Sequence, residues 1–593
     1  MAAGCAGGRK APPMKVMLFF PPNWTPAMPH LALPSLTAYL RERGVEVIQR
    51  DLNAEVFDRI LTRDYLLRSL ERLRQRRPRS GTPAWELWHW ALANGPALAR
   101  QIEGAKRVIK SHAFYDGPRS LPAFETMIQA LQLASLPYYP STLHLQGYDS
   151  AYRADSSRAI LQAVQDRNQN MFIELFEEMV VPDVLREQPD VVGISIPSVN
   201  QVIPGLTIAH LVKQSGARAH VTIGGPMASI WREQLPGLPQ MFRLFDSAVV
   251  FDGEEPLYRL CQAVHAGSPL DDVPNLIYFG GERVRITARQ EQARLQDLPA
   301  PDFDGLPLDK YLAADLVLPL ATTRGCYFGK CAFCNVGYGE PEAFSQQRSE
   351  TLERQMLLLL EKYGCRHIFF VDEALTPRLM RELSPRLEAK GAPIFWGGCA
   401  RFEKTYTREL LEAMSRGGCC MLLFGLEAGS QRIMDRMVKG TRLEIIRRIL
   451  PDSTAAGIWN HTFFFFGFPG ETLEDAQQTV DFLYENAAYI NSAALGTFLL
   501  ERYAPAHTFP WLYGITKIIE RPDADLGFYF DYEVASGMDA ATAELVMQRF
   551  EESLPVKAFP QFYCNDVYRF LYAAHLKAIG APRPPWLGVP ALA

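Results

Sequence analysis

The chain reads as an α/β protein. It has a doubly wound N-terminal domain with a helical insertion, then a partial barrel of six strand–helix units, then a small, mainly helical C-terminal segment. Three observations predict this. Short apolar runs alternate with helical stretches from Lys15 to Leu500. Residues 61–185 interrupt that alternation with helical patterning, too long for a simple connection. A Pro-rich connector, Leu298-Pro-Ala-Pro-Asp-Phe-Asp304, separates the two alternating blocks.

The elements follow in order. Met1 to Pro13 is small, polar and Pro-containing, without an apolar signal core, and reads as a disordered tail; Met14, just before the first strand, is an alternative start. Lys15-Val-Met-Leu-Phe-Phe20 is a short buried strand that ends at Pro21-Pro22. A helix over Leu31–Arg43 closes at Gly44, and Val45-Glu-Val-Ile48 is the next strand. The insertion carries Trp85, Trp88 and Trp90, expected in its core because large aromatics dominate burial. Its basic run, Arg72 to Arg79, reads as a solvated helix end. Strand–helix alternation resumes with Asp190–Ser195, Ile203–Gln214, Ala219–Gly225, Ser247–Phe251 and Leu257–His265.

Beyond the connector, six runs have strand character: Leu316–Thr323, His367–Val371, Pro393–Gly397, Cys420–Phe424, Asn460–Phe466 and Ala493–Leu500. That is fewer than a full eight-fold barrel. After about residue 510 the chain is rich in Phe and Tyr and less regular, and its clearest pattern is a helix from Asp566 to Ala578 ended by Gly580.

Composition narrows the function. Of 593 residues, 48% are hydrophobic and 21% charged, as in ordinary globular proteins. A net charge of −5 gives no electrostatic footprint for nucleic acid. No apolar run reaches the length of a membrane span. The ten cysteines show no small-scaffold disulfide pattern.

Three cysteines carry the chemistry: Cys326, Cys331 and Cys334, in Arg-Gly-Cys-Tyr-Phe-Gly-Lys-Cys-Ala-Phe-Cys-Asn. They lie on the loop leaving a strand's carboxyl end, where barrel enzymes build active sites. A structural zinc site needs four ligands and is closed, whereas a cluster held at three irons leaves the fourth open. The competing readings are a zinc knuckle, which lacks a fourth ligand here, and three unrelated core cysteines. Polar or Gly-rich residues follow the later barrel strands: Asp372-Glu373, Arg401, Glu427 in Gly-Leu-Glu-Ala-Gly-Ser, and Gly467-Phe-Pro-Gly470-Glu471. Singly, each also reads as an exposed turn or a helix cap, and Arg401 as a surface ion pair.

This cysteine loop resembles that of the radical SAM superfamily, whose usual triplet has three residues in the first gap and two in the second. Here the gaps are four and two. Arg324-Gly325 and Phe333 fit the resemblance. It implies a [4Fe-4S] cluster on Cys326, Cys331 and Cys334, with S-adenosyl-L-methionine (SAM) at the open iron. It also implies that Asp372 or Glu373 meets the SAM amino group, although Val-Asp-Glu-Ala stands where the family has Gly-Gly-Glu. Arg401 is then a candidate for the SAM carboxylate, Glu427 for the nucleoside or methionine part, and Gly467 and Gly470 for close backbone approach to adenine.

The N-terminal domain resembles the cobalamin-binding domain of cobalamin-dependent radical SAM enzymes. The resemblance rests on Pro21-Pro22, on Gly193-Ile-Ser195, on Gly224-Gly225-Pro226 and on Gly253-Glu254-Glu255-Pro256. A flat corrin at the carboxyl edge of a parallel sheet needs small residues there. The implied cofactor contacts are Pro22, Ser195, Gly224, Gly225, Gly253 and Glu254. No histidine has Asp two residues before it, so the resemblance implies cobalamin without a protein histidine on cobalt. A degenerate domain that no longer binds cobalamin is the alternative.

On this reading residues 14–60 and 186–295 are a cobalamin-binding domain, 61–185 the helical insertion, 296–510 the radical SAM core and 511–593 the C-terminal segment. The resemblance implies an enzyme that forms a 5′-deoxyadenosyl radical. Its commonest outcome is methylation of an unactivated carbon, here of a peptide or small natural product, with an external flavodoxin- or ferredoxin-like electron donor. The chemistry is the cofactors' own, and no side chain is assigned as catalytic. Alternatives are a non-methylating cyclase or rearrangement enzyme with the same cofactors, and a cobalamin or redox sensor without catalysis. A thiolate-held cluster implies a reducing, cytoplasmic setting, with no nucleic acid or membrane partner.

Overall fold

Two parallel sheets organise the chain, as the alternating pattern requires. The structure, a computed structural model, describes residues 14–291, 293–339, 344–553 and 565–582. The Met1–Pro13 tail lies outside them.

The N-terminal sheet runs, in spatial order, Glu46–Asp51, Lys15–Phe20, Val191–Ser195, His220–Gly224 and Ser247–Val249, all parallel. Leu276–Phe279 and Val284–Ile286 extend one edge antiparallel. The second strand lies beside the first on one edge and the third continues on the other, so the order reverses between Lys15–Phe20 and Val191–Ser195. Ligands of doubly wound sheets bind outside the carboxyl ends at such a reversal. All five residues of Val191–Ser195 are buried, as a central strand covered on both faces demands.

The insertion is a helical block led by Arg63–Gln75, Pro83–Ile109 and Gly117–Ser135. Its tryptophans are not in the core as expected. Trp85, Trp88 and Trp90 are half-buried at its edge. Trp85 and Trp88 stack at 5.5 Å, and the Arg77 guanidinium sits 4.7 Å over Trp85. An indole whose N–H needs a partner settles at a boundary more readily than in a dry core; Trp88 Nε1 donates to the Leu73 carbonyl at 2.7 Å. Arg74, Arg76, Arg77 and Arg79 are exposed at the helix end, as the charge run implied.

The second sheet contains six parallel strands in sequential order: Val317–Leu320, His367–Phe370, Phe395–Ala400, Cys419–Glu427, Trp459–Phe466 and Ser492–Thr497. Alternate residues face opposite sides. Ile368 and Phe370 join the core under the outer helices, while Phe369 points into the concave face. There it meets Phe570 edge to face at 5.5 Å. Phe570 belongs to the C-terminal helix Asp566–Ile579, which Asn565 caps and Gly580 ends in the left-handed conformation. That helix fills the concave face, and a Cβ at Gly397 would lie 3.1 Å from Phe570. Its Tyr568 meets Phe114 and Phe124 of the insertion. The helix packs on the middle strands, His367–Phe370, Phe395–Ala400 and Cys419–Glu427.

Beyond residue 510 the chain holds more than that helix. Leu500–Glu501, Tyr529–Val534 and Ile515–Ile519 form a small antiparallel sheet, followed by a helix over Ala540–Ser553. No helix among the described residues is long and apolar enough to cross a membrane.

Candidate functional site

The candidate residues gather where the carboxyl edges of the two sheets meet. A cavity of about 490 Å³ opens at the strand-order reversal of the N-terminal sheet. Its floor is Gly193–Ser195 and Thr222–Gly225, and its apolar wall includes Trp24, Met28, Leu33 and Leu36. Gly253 and Glu254 close one side. Five of the six residues assigned to cobalamin therefore line one space. Pro22 does not: it is buried beside the cavity, while Trp24, two residues on, reaches the lining.

Gly225 has φ +90°, and a Cβ there would sit 3.1 Å from the backbone of Ile196. Only glycine takes that turn without strain, and the turn lets the floor lie flat. Gly193, Ser195, Gly224 and Gly225 keep the floor open at four positions and the wall is apolar, so the cavity fits a broad flat ligand such as a corrin.

His30 is the one histidine in this lining. It stacks on Phe20 at 4.8 Å, and burial pushes its pKa down to about 4, leaving it neutral. Its Nδ1 accepts the Ala32 N–H at 3.2 Å, so Nε2 carries the proton. A nitrogen that carries a proton cannot ligate a metal. The local fold thus holds His30 in the tautomer unsuited to cobalt, consistent with the missing Asp-x-His pattern.

The cysteine loop begins just across the gap. Asp372 accepts hydrogen bonds from Thr322 N at 2.7 Å, from Thr323 N and from Thr323 Oγ1 at 2.8 Å. This clamps the chain as it leaves Val317–Leu320. Thr323 and Arg324 then pair antiparallel with Gln346 and Ser345. Within the loop Ala332 N donates to the Met437 carbonyl and the Ala332 carbonyl accepts from Ala506 N, both at 2.8 Å. The four-residue first gap has a physical use. Gly329, at φ +58°, turns the chain, and Phe328 packs on the Arg401 guanidinium at 3.8 Å.

Cys331 is buried; Cys326 and Cys334 are half-buried, and none is in a disulfide. Burial raises the Cys331 thiol pKa, opposed by Lys439 and Arg401, and pushes Cys334 up to about 12. Bound iron removes such a proton outright. Three free thiols on one loop, with the Arg401 and Lys439 cations beside Cys331 to offset thiolate charge, are a donor set that suits an iron–sulfur cluster.

The remaining candidates ring this loop. Asp372 is a clamp with one buried oxygen, Oδ2, lacking a partner, and burial raises its pKa to about 6. Glu373 is exposed at the barrel mouth, within electrostatic reach of Cys334. Arg401 does form an ion pair, with Glu403 at 3.4 Å, but it is buried and not on the surface. It is 5% exposed, donates to the Lys439 carbonyl at 2.5 Å and reaches Cys331 Sγ at 3.5 Å. Glu427 ends its strand at φ +63° and pairs with Lys439 at 2.6 Å, both buried. Gly467 and Gly470 both have φ +87°. A Cβ at Gly467 would meet Ala543 at 2.5 Å, and one at Gly470 would meet Arg436 at 2.7 Å. Their missing side chains make room for protein neighbours. Glu471 Oε2 binds the Gly467 and Phe468 amides of the same turn, and burial raises its pKa to about 7.

Sequence reasoning did not single out Lys439, Phe328, His30 or the role of Arg324. Arg324 pairs with Glu254 and lies 3.5 Å from Asp252, joining the two sheets. Its position two residues before Cys326 was the available signal. Lys439 gave none, since it lies twelve positions from Glu427 in a turn.

Comparison with known proteins bears on the family and the fold. Residues 320–483 match the family model of the Radical SAM superfamily. An uncharacterised methyltransferase of Pyrococcus horikoshii is 27% identical over 317 residues, covering 52% of this chain and 68% of that protein. The cobalamin-dependent S-adenosylmethionine radical enzyme OxsB, solved with aqua-cobalamin bound, superposes over 95% of this chain and 72% of its own, with a TM-score of 0.57 at 15% identity. The radical S-adenosylmethionine methyltransferase TsrM from Kitasatospora setae, solved with cobalamin and a [4Fe-4S] cluster, covers 96% of this chain and 100% of its own, with a TM-score of 0.57 at 14% identity. At such identities the two structures establish a shared fold.

Proposed function

We propose, from the premise that this chain is a radical SAM enzyme with the fold of the cobalamin-dependent members, that it is a methyltransferase acting on an unactivated carbon. The substrate would be a peptide or a small natural product. The observation that carries the reading is the adjacency of the two sites. The cavity's far wall is Arg324 and Val371, which flank the cysteine loop and its clamp.

In this reading Cys326, Cys331 and Cys334 hold the cluster. Glu373, Arg401 and Glu427 supply charge at the SAM end. Gly467 and Gly470 would form the turn that meets adenine, and Ser195, Gly224, Gly225, Gly253 and Glu254 would seat the corrin. The cofactors supply a 5′-deoxyadenosyl radical and a transferable methyl group, and the protein orients them and excludes water. Arg401 and Phe328 keep the cluster loop in place, and the buried Glu427–Lys439 pair braces the strand end beside it. The C-terminal helix fills the concave face from below, which supports entry of substrate from the carboxyl mouth. Cys399, Phe463 and Phe465 are half-buried on the barrel strands, and Phe465 meets Phe333 of the cysteine loop edge to face at 5.3 Å. An external reductant would feed the cluster.

Anaerobic reconstitution tests the reading. The wild type should hold one four-iron cluster and retain cobalamin, and changing any of Cys326, Cys331 or Cys334 to Ala should abolish the cluster. With substrate, each methyl should add one CH₂ to the product mass. A product of unchanged composition would favour the cyclase or rearrangement alternative. Normal iron and sulfide in the triple variant would overturn the assignment.

A further inference from the structure

Arg324 is the point at which the two cofactor sites touch. Its guanidinium lines the 490 Å³ cavity, pairs with the buried Glu254 and lies 3.5 Å from Asp252. Glu254 stands in the first turn of the helix Glu254–Ala266 of the N-terminal domain, where a carboxylate is favoured. Thr323 and Thr322, just before Arg324, are held by Asp372, and Arg324 itself is paired with Ser345. Cys326 follows two residues later. The second barrel residue in the cavity wall, Val371, is the neighbour of that same Asp372 and is 41% exposed. Every barrel contact with the cavity therefore runs through the clamp that sets the start of the cysteine loop.

We infer that Arg324 is a positioning residue that couples occupancy of the cavity to SAM binding at the cluster loop. A corrin carries carboxamide groups on its rim, and a planar guanidinium presents several donors to such oxygens. A corrin seated in the cavity would lie against Arg324 and Val371, both of which line it. Both contacts hold the Asp372 clamp and the start of the cysteine loop in one arrangement. Coupling requires such a differential contact between empty and filled states. Arg324 supplies it without touching a reacting atom. The inference rests on the cobalamin reading of the cavity.

The test measures SAM affinity of the cluster-loaded protein by anaerobic calorimetry, with and without saturating cobalamin. Wild type should bind SAM at least about five-fold more tightly with cobalamin, within the usual range of coupling between sites. By reciprocity SAM should tighten cobalamin by the same factor. Arg324→Gln should bring the ratio close to one with iron content unchanged, and Arg324→Lys should restore part of it. Glu254→Gln, far from the cysteines in sequence, should also lower the ratio, which guards against a fault confined to cluster assembly. A wild-type ratio of one, or an unchanged ratio in both Arg324→Gln and Glu254→Gln, overturns the inference. Failure of the wild type to retain cobalamin at all is a different result. It overturns the cobalamin reading, and the inference with it.

Discussion

The buried pair Glu427–Lys439 gives the sharpest prediction about how the barrel mouth is held. The side chains are 9% and 6% exposed and their charged atoms lie 2.6 Å apart. Glu427 spends its carboxylate on Lys439 and not on the helix starting at Gln431, so a helix-cap role does not describe it. Glu427→Gln leaves the Lys439 ammonium buried without a counter-charge. Breaking one partner of a buried pair costs about 3–5 kcal/mol. Local opening of the segment should then rise by roughly two to four orders of magnitude, at about 1.4 kcal/mol per tenfold. Lys439→Met should cost a similar amount by stranding Glu427. The double variant removes both charges and should recover most of the loss, because a buried pair replaced by neutral groups is often close to neutral. Native-state hydrogen exchange over residues 419–443, on the apo and cluster-loaded protein, reads these changes. Glu427→Gln should also weaken SAM binding by about one to two orders of magnitude, the scale of a lost charge-assisted contact, with iron unchanged. Additive losses in the double variant would refute the pairing argument. Unchanged SAM affinity would remove Glu427 from the site.

Three further outcomes follow from local geometry. Asp372 has its pKa raised to about 6 by burial, above its ordinary value of 3.8, so the folded protein binds that proton more tightly than the unfolded chain. Its contribution is present below about pH 4 and lost as the pH rises to about 6; Asp372→Asn, which keeps a carbonyl for the Thr322 and Thr323 amides, should flatten that slope in melting temperature between pH 4 and 6. Gly225→Ala forces a Cβ onto a φ of +90°, 3.1 Å from Ile196, and should cost about 1–2 kcal/mol while lowering cobalamin retention, seen by denaturant titration and the bound-cofactor spectrum. Thr472→Ala removes the Thr472–Asp475 capping box of the helix Leu473–Glu485 and should cost about 1 kcal/mol, measured as exchange protection in its first turn.

The residues that fixed the architecture in the sequence were those with strong local patterns. Val16–Phe20 and Val191–Ile194 carry no polar side chain because both faces are covered, and Gly580 marks the end of the last helix because glycine adopts the left-handed cap easily. Six strand runs and a cysteine loop between strand and helix were enough to place the barrel mouth. Hidden were the features made by contacts distant in sequence. Tyr529–Val534 alternates exposed with half-buried residues and buries none fully, so no buried apolar run marks it, and its partners Leu500–Glu501 and Ile515–Ile519 meet it only in the fold. Asp372 looked like a ligand because its neighbours in sequence do not reveal Thr322 and Thr323, fifty and forty-nine residues away. Arg401 was read as a surface ion pair or a SAM contact because Phe328 and Lys439 approach it only in the fold. The glycines at 467 and 470 were legible as special, but Ala543 and Arg436 as their neighbours were not.

The most direct measurement of the central claim uses SAM labelled in its methyl group. Cluster-loaded, cobalamin-loaded protein is reduced without substrate, and the cobalamin fraction is separated and counted. The account predicts label in that fraction for the wild type together with release of 5′-deoxyadenosine, and no 5′-deoxyadenosine from the triple Cys326, Cys331 and Cys334 to Ala variant, which lacks the thiolates that would hold the cluster. Release of 5′-deoxyadenosine by the wild type with no label in cobalamin would contradict the methyltransferase claim.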